Sequence, residues 1–318
     1  MHVALLTALA MLAFAGNSLL CRMALKLTSL DAASFTTVRM VSGALALCLL
    51  VRFRGDSGGG SGGSAAAGRP VSVVAYGNWG SALALFAYAA LFSYAYVGMT
   101  AATGALLLFG AVQASMIAWG LAKGERLLLL QTVGFVMALA GLAALMLPGF
   151  ATPQWHIAVA MLGAGVAWGV YSLRGKTTAP ASSPAQVPDP LATTCGNFVR
   201  TVPMAIALSA ATLPWMHLDS TGLALAVVSG AVTSGLGYVV WYRALPALQA
   251  THAATVQLSV PVIAAVGGVV LLGEGFSPQL LGSSVAVLGG IALVLRRPPP
   301  PPILQSTTVA SMSDQKGL

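Results

Sequence analysis

Long apolar blocks separated by short polar breaks set the pattern of this chain. Ten blocks can be marked: His2–Leu20, Ser34–Val51, Gly77–Val97, Ala101–Leu121, Leu127–Leu147, His156–Leu173, Leu191–Leu213, Gly222–Trp241, Thr251–Leu272 and Pro278–Leu295. Each is long enough for a membrane-spanning helix, which takes about 17–25 residues. The pattern therefore predicts an all-α integral membrane protein with ten transmembrane helices. Ala13-Phe14-Ala15 resembles a signal-peptide cleavage site, but no positive charge precedes the first block, so that block is read as a span.

The pattern also repeats. Thr103–Ala122, Lys123-Gly124-Glu125-Arg126 and Leu127–Leu147 have the same apolar–polar–apolar shape as Thr251–Leu272, Gly273–Pro278 and Gln279–Leu295. Laying Gly124-Glu125 on Gly273-Glu274 brings Leu139 onto Leu288, Gly141 onto Gly290 and Ala143 onto Ala292 without a gap. Two five-span halves follow, over residues 1–147 and 156–295. Because five is odd, the second half enters the membrane from the opposite side, so the expected architecture is a pair of inverted repeats. Residues 55–70, rich in Gly and Ser, read as a flexible linker. Residues 298–318, opening on consecutive prolines, read as a disordered tail.

Composition supports the bilayer as solvent. Of 318 residues 57% are hydrophobic and 7% charged, and mean hydropathy is +0.86. A water-soluble domain carries about 25% charged residues. The net charge of +8 sits at block ends and forms no basic stripe for nucleic acid. Arg52, Arg54, Arg69, Lys123, Arg126, Arg174, Lys176, Arg243, Arg296 and Arg297 fall on one side, and Arg22 and Lys26 on the other. That asymmetry predicts cytoplasmic termini. Cys21, Cys48 and Cys195 have no paired spacing, and no histidine pair stands at metal-ligand spacing. Neither a metal, a cofactor, a phosphate loop nor a catalytic cluster is expected.

Candidate chemistry lies in the polar and aromatic residues at mid-block depth. Arg39 and Arg200 each sit in a Val-Arg pair in the second span of their half. An intramembrane arginine faces protein or water, so each either attracts an anionic group such as a carboxylate or ties helices to backbone carbonyls. Tyr88, Phe92 and Tyr96 fall four apart on one helix face. Tyr238 and Trp241, and Trp168 and Tyr171, cluster likewise, either as cavity walls or as an interfacial belt. Asn17, Gln113, Asn197 and Gln257 are amides at mid-span depth, fit for substrate contact or interhelical bonding. Glu125 and Glu274 read as structural carboxylates marking the start of the helix that follows each. Pro261 is expected to act as a hinge in the ninth span. Spans five and ten, rich in Gly, Ala and Leu, read as packing or homodimer helices.

The stretch Gly237–Glu274 carries an aromatic helix end, the turn Tyr242-Arg243-Ala244-Leu245, Pro261 and Leu272-Gly273-Glu274. With a Gly-Glu at the fourth/fifth junction of each half and Arg39 in the second span, the chain resembles the EamA-type transporters of the drug/metabolite transporter superfamily. The first half matches less well, with Val112 at the place of Pro261. The resemblance implies no enzyme but a multi-pass carrier of the bacterial inner membrane. It would export a small-molecule substrate, such as an amino acid or drug, by alternating access, with a proton as candidate coupling ion. A nucleotide-sugar or other anionic-metabolite exchanger would need more basic residues in the cavity. A lipid-modifying membrane enzyme would need clustered carboxylates or histidines, and a scaffold would move no solute.

Overall fold

The computed structural model describes residues 2–56, 76–124, 126–147, 153–177, 189–244, 247–248, 256–275 and 277–295. Among these residues every regular element is a helix. They are α1 (His2–Leu27), α2 (Ala32–Asp56), α3 (Trp79–Tyr96), α4 (Ala101–Ala122), α5 (Leu129–Leu145), α6 (Trp155–Thr177) and α7 (Pro190–Ala211), a 3-10 turn (Leu213–Trp215), then α8 (Ser220–Val228), a π-helical segment (Ser229–Leu236), α9 (Gly237–Ala244), α10 (Ser259–Leu272) and α11 (Pro278–Leu295). Gly55 and Asp56, expected in the linker, close α2. The rest of the expected linker, the expected tail and Glu125 lie outside the described residues.

Local chemistry sets the helix ends. Side chains of Asn78, Thr100, Asp189 and Asp219 accept hydrogen bonds from the first-turn N–H groups of α3, α4, α7 and α8, satisfying donors that have no intrahelical partner. Gly124 and Gly273, the shared glycines of the two Gly-Glu steps, take φ of +92° and +61°. Both glycines are therefore helix stops in the left-handed region, where a side chain would be strained. Pro261, expected as a hinge, stands in the first turn of α10, where its missing N–H costs nothing; Val256 and Gln257 ahead of it are also helical, with a turn at Leu258 between the two segments.

Among the described residues, six helices are long and apolar enough to cross a membrane: α1, α2, α4, α6, the continuous rod α8–π–α9, and α11. Large apolar side chains face outward along them, including Leu5, Leu12, Leu45, Leu49, Val166, Val232 and Val285. Water would penalise that surface and lipid does not. The chain is a multi-pass membrane protein. The described part of α10, at 14 residues, would rise only about 21 Å, short of a hydrocarbon core of about 30 Å.

Close packing rests on small residues. α5 lies along α11, and a Cβ on Gly134 would strike the Gly290 carbonyl oxygen, while one on Gly141 would meet Ala286 Cβ at 2.8 Å. α2 lies along α7 and the π-helical segment, where a Cβ on Gly230 would collide with Arg39 backbone and Ser42 Oγ. Every added methyl at these points would push the helices apart.

Candidate functional site

The interior of the bundle is closed by rings. On α3, Tyr88, Phe92 and Tyr96 form the predicted face, with centroids 5.3 and 4.7 Å apart. Trp168 from α6 packs on Tyr88 at 4.8 Å and stacks nearly parallel on Tyr238 from α9 at 5.3 Å. Phe14 from α1 meets both Tyr238 and Trp241 at about 6 Å. Tyr88, Phe92, Tyr96, Tyr238 and Trp241 are buried inside the bundle, and Phe14 and Trp168 are half-buried.

Between them lies a central cavity of about 30 Å³, room for a water or two. Asn17, Tyr88, Trp168, Tyr238 and Gln257 line it, together with Phe14, Ser18, Phe92, Leu108, Phe109, Thr233 and Ser234. A second void of about 120 Å³ lies between α2, α7 and α9, lined by Leu47, Arg54, Asp189, Leu191, Thr194, Tyr238, Val239 and Arg243. Tyr238 is common to both walls. Tyr238 therefore borders both spaces.

A polar network crosses this interior. Asn17 Nδ2 donates to the Tyr88 hydroxyl at 3.3 Å. Asn17 Oδ1 accepts from Ser229 Oγ at 2.7 Å and Thr233 Oγ1 at 3.5 Å. Arg39 Nη2 donates to the same Tyr88 hydroxyl at 3.2 Å, and its Nε donates to Ser234 Oγ at 3.3 Å. The network therefore joins α1, α2 and α3 to the π-helical segment. π-Helical turns are rare and gather at functional sites, and this one supplies three hydroxyls to the same network.

Arg39 is 1% exposed, and its Nη1 has no hydrogen-bond partner. Its guanidinium lies 5.3 Å from the Tyr88 ring centre and 5.0 Å from that of Phe92. Such contacts contribute about 0.5–2 kcal/mol each. Removing a cation from water costs several kcal/mol, so rings and hydroxyls leave it undercompensated.

Three other candidates stand apart from the cavity. Asn197 Oδ1 accepts the Asn78 N–H at 3.0 Å, and its Nδ2 donates to the Tyr171 hydroxyl at 3.5 Å. Arg200 Nη1 donates to the carbonyls of Gly196 and Tyr76. Gln113 is buried on α4 and does not line the cavity. Of the remaining aromatics, Tyr171 packs on Trp168 at 5.5 Å, and Trp241 reaches the cavity only through Phe14.

Glu274 departs from the sequence reading in an informative way. It does sit at a helix start, but the start is that of α4 and not of α11. Its Oε2 accepts the Ala101 N–H at 2.7 Å, and its Oε1 accepts Arg22 Nε at 3.0 Å. Arg22 Nη1 also donates to the carbonyls of Tyr96 and Val97 at the end of α3. The Ser277 hydroxyl caps α11 instead. Sequence spacing could not show this, because a carboxylate at a helix junction suits the next helix equally well. Hydroxyls such as Ser18, Thr233 and Ser234 also gave no signal, since Ser and Thr within apolar spans commonly bond their own helix.

Comparison with known proteins bears on this arrangement. The profile of the EamA-like transporter family matches residues 155–296. An uncharacterized protein of Pseudomonas aeruginosa, PA1977, is 51% identical over 291 residues, covering 92% of this chain and 93% of its own length. A protein of known crystal structure, 18% identical, superposes over 92% of this chain and 96% of its own with a TM-score of 0.62, a likeness of fold alone.

Proposed function

Because this chain belongs to the EamA-like transporter family, we propose that it is a secondary active transporter that exports small organic metabolites by alternating access. The carrying observation is the pair of cavities that share Tyr238 in their walls and are framed by helices from both ends of the chain. A solute in the central cavity reaches the second void when the Tyr238 ring swings aside. Arg54 and Arg243 at that void mark it as the cytoplasmic mouth by the positive-inside rule. The Arg22–Glu274 pair then closes the outer end.

Ten spans in two inverted repeats is the architecture we infer. The neighbour pattern supports it. Counting the α8–α9 rod as the eighth span, α3 packs on α6 as that rod packs on α1, α4 packs on α6 as α10 packs on α1, α2 faces α7, and α5 faces α11. Each contact has its exchange partner under a two-fold relation between halves. On this reading the protein lies in the bacterial inner membrane with both termini cytoplasmic. It needs no cofactor, and its driving force is a gradient, with a proton as the candidate coupling ion.

Reconstitution tests the proposal. Proteoliposomes preloaded with a bacterial metabolite extract should release a small subset of solutes, detected by mass spectrometry, when a proton gradient is imposed. Protein-free vesicles should not. Identical profiles from both, under either gradient polarity, would refute a transport function.

A further inference from the structure

The chain has seven acidic residues: Asp31, Asp56, Asp189, Asp219 and Glu274 among the described residues, and Glu125 and Asp314 outside them. Among those described, each lies at a helix end. Asp31 bonds the first turn of α2 and the His217 N–H, Asp189 pairs with Arg54, Asp219 caps α8, and Glu274 holds Arg22. Asp56 closes α2. Asp31, Asp189, Asp219 and Glu274 are thus engaged at those ends and not with Arg39.

An arginine does not lose its proton inside a protein, so Arg39 is a fixed positive charge, and among the described residues no carboxylate forms an ion pair with it. The groups its guanidinium bonds and faces belong to the cavity wall: Tyr88 and Ser234 through hydrogen bonds, Tyr88 and Phe92 through their faces. One donor, Nη1, remains unfilled. The rest of the wall is aromatic or aliphatic, with amides and hydroxyls and no carboxylate to receive an ammonium group.

We infer that the central cavity is a site for small aryl or alkyl monocarboxylates, with Arg39 as the counter-charge behind the Tyr88–Ser234 wall and the rings of Phe14, Trp168 and Tyr238 receiving the apolar body. The inference rests on the transporter reading and narrows its substrate class. A zwitterion of the same shape binds worse, because its ammonium meets no anion. A neutral amide binds worse, because it leaves the guanidinium uncompensated. The closed cavity holds a water or two, so the acid enters a conformation in which the rings have parted.

Calorimetric titration of the purified full chain in detergent with benzoate, benzamide, L-phenylalanine and chloride tests this. Benzoate should bind at least about tenfold more tightly than benzamide or L-phenylalanine, the gain of a charge-assisted over a neutral hydrogen bond. Arg39→Gln should abolish that gap and Arg39→Lys should keep part of it. Because the wild-type series needs no variant, misfolding of Arg39→Gln would leave the test intact. Equal binding of benzoate and benzamide overturns the inference, as does chloride displacing benzoate at equal concentration, which would make the counter-ion inorganic. Absence of benzoate binding by a protein that still moves other solutes in proteoliposomes overturns the substrate class and leaves the transporter reading standing. Benzoate binding without flux of any solute does the reverse.

Discussion

Glu274→Gln is a sharp perturbation because it changes one atom type in a site where both partners are donors. Glu274 Oε1 accepts from Arg22 Nε at 3.0 Å, and Oε2 accepts from Ala101 N–H at 2.7 Å. The carboxylate supplies two acceptors, whereas a glutamine amide supplies one and places an NH₂ against the other donor. Both side chains are nearly enclosed, at 11% and 5% exposure, so water is poorly placed to repair the loss. A charge-assisted hydrogen bond contributes about 1.5–3 kcal/mol and an orphaned buried donor costs about 1–3 kcal/mol. The variant should therefore lose about 2–5 kcal/mol, split between the α1–α10 tie and the start of α4. Thermal unfolding in detergent, followed by tryptophan fluorescence, should show a lowered midpoint. Arg22→Ala should also lower it, and the double variant should fall short of the sum of the two, because both singles break one contact. A Glu274→Gln midpoint equal to wild type would refute the reasoning, as would strictly additive effects.

Other consequences are open to simpler tests. Gly230→Leu should prevent the π-helical segment from seating on α2, leaving aggregated protein by size-exclusion chromatography, whereas Gly282→Leu, where a Cβ meets nothing within 4 Å, should elute as wild type. Cys48 Sγ and Cys195 Sγ lie 3.1 Å apart across α2 and α7. A thiol-specific oxidant should join them without loss of monodispersity, and after proteolytic cleavage between residues 57 and 75 the fragments should stay linked on a non-reducing gel, but not in Cys48→Ser. At the start of α2, burial would raise the Asp31 carboxyl, yet hydrogen bonds from Ser34, His217 and Ala33 hold it below its ordinary value. A carboxyl lowered on folding stabilises above its unfolded pKa and loses that contribution as pH falls through the folded value. Asp31→Asn should thus be less stable than wild type at pH 7, with the gap closing below about pH 4 in pH-dependent melts.

The apolar blocks made most helices legible, because lipid demands an uninterrupted run and a glycine or a cap ends it. Ala101–Leu121 and Pro278–Leu295 fall within a residue of α4 and α11. α1 instead continues past Leu20 to Leu27. It carries Arg22 and Lys26 out of the apolar block, and these bond Glu274 and the Leu272 carbonyl. The site was legible in part. Asn17, Tyr88, Trp168, Tyr238 and Gln257 do converge, since a mid-span polar or aromatic residue turns inward. Their company was not legible. Arg39 and Arg200 share a Val-Arg setting, yet one is sealed behind the cavity wall while the other reaches the backbone ahead of α3. Which face each presents depends on helix rotation, which the sequence leaves free. The π-helical stretch was equally hidden, as no residue pattern compels one.

Side-specific labelling at the cavity wall tests the transport route most directly. In a background with Cys21, Cys48 and Cys195 replaced by serine, Thr233→Cys would be exposed to a membrane-impermeant maleimide, added outside or inside oriented vesicles, with and without an imposed proton gradient. Alternating access predicts labelling from the inner side in one condition and from the outer side in the other. A thiol that stays unlabelled from both sides in every condition would contradict a pathway through the Tyr88–Trp168–Tyr238 cavity.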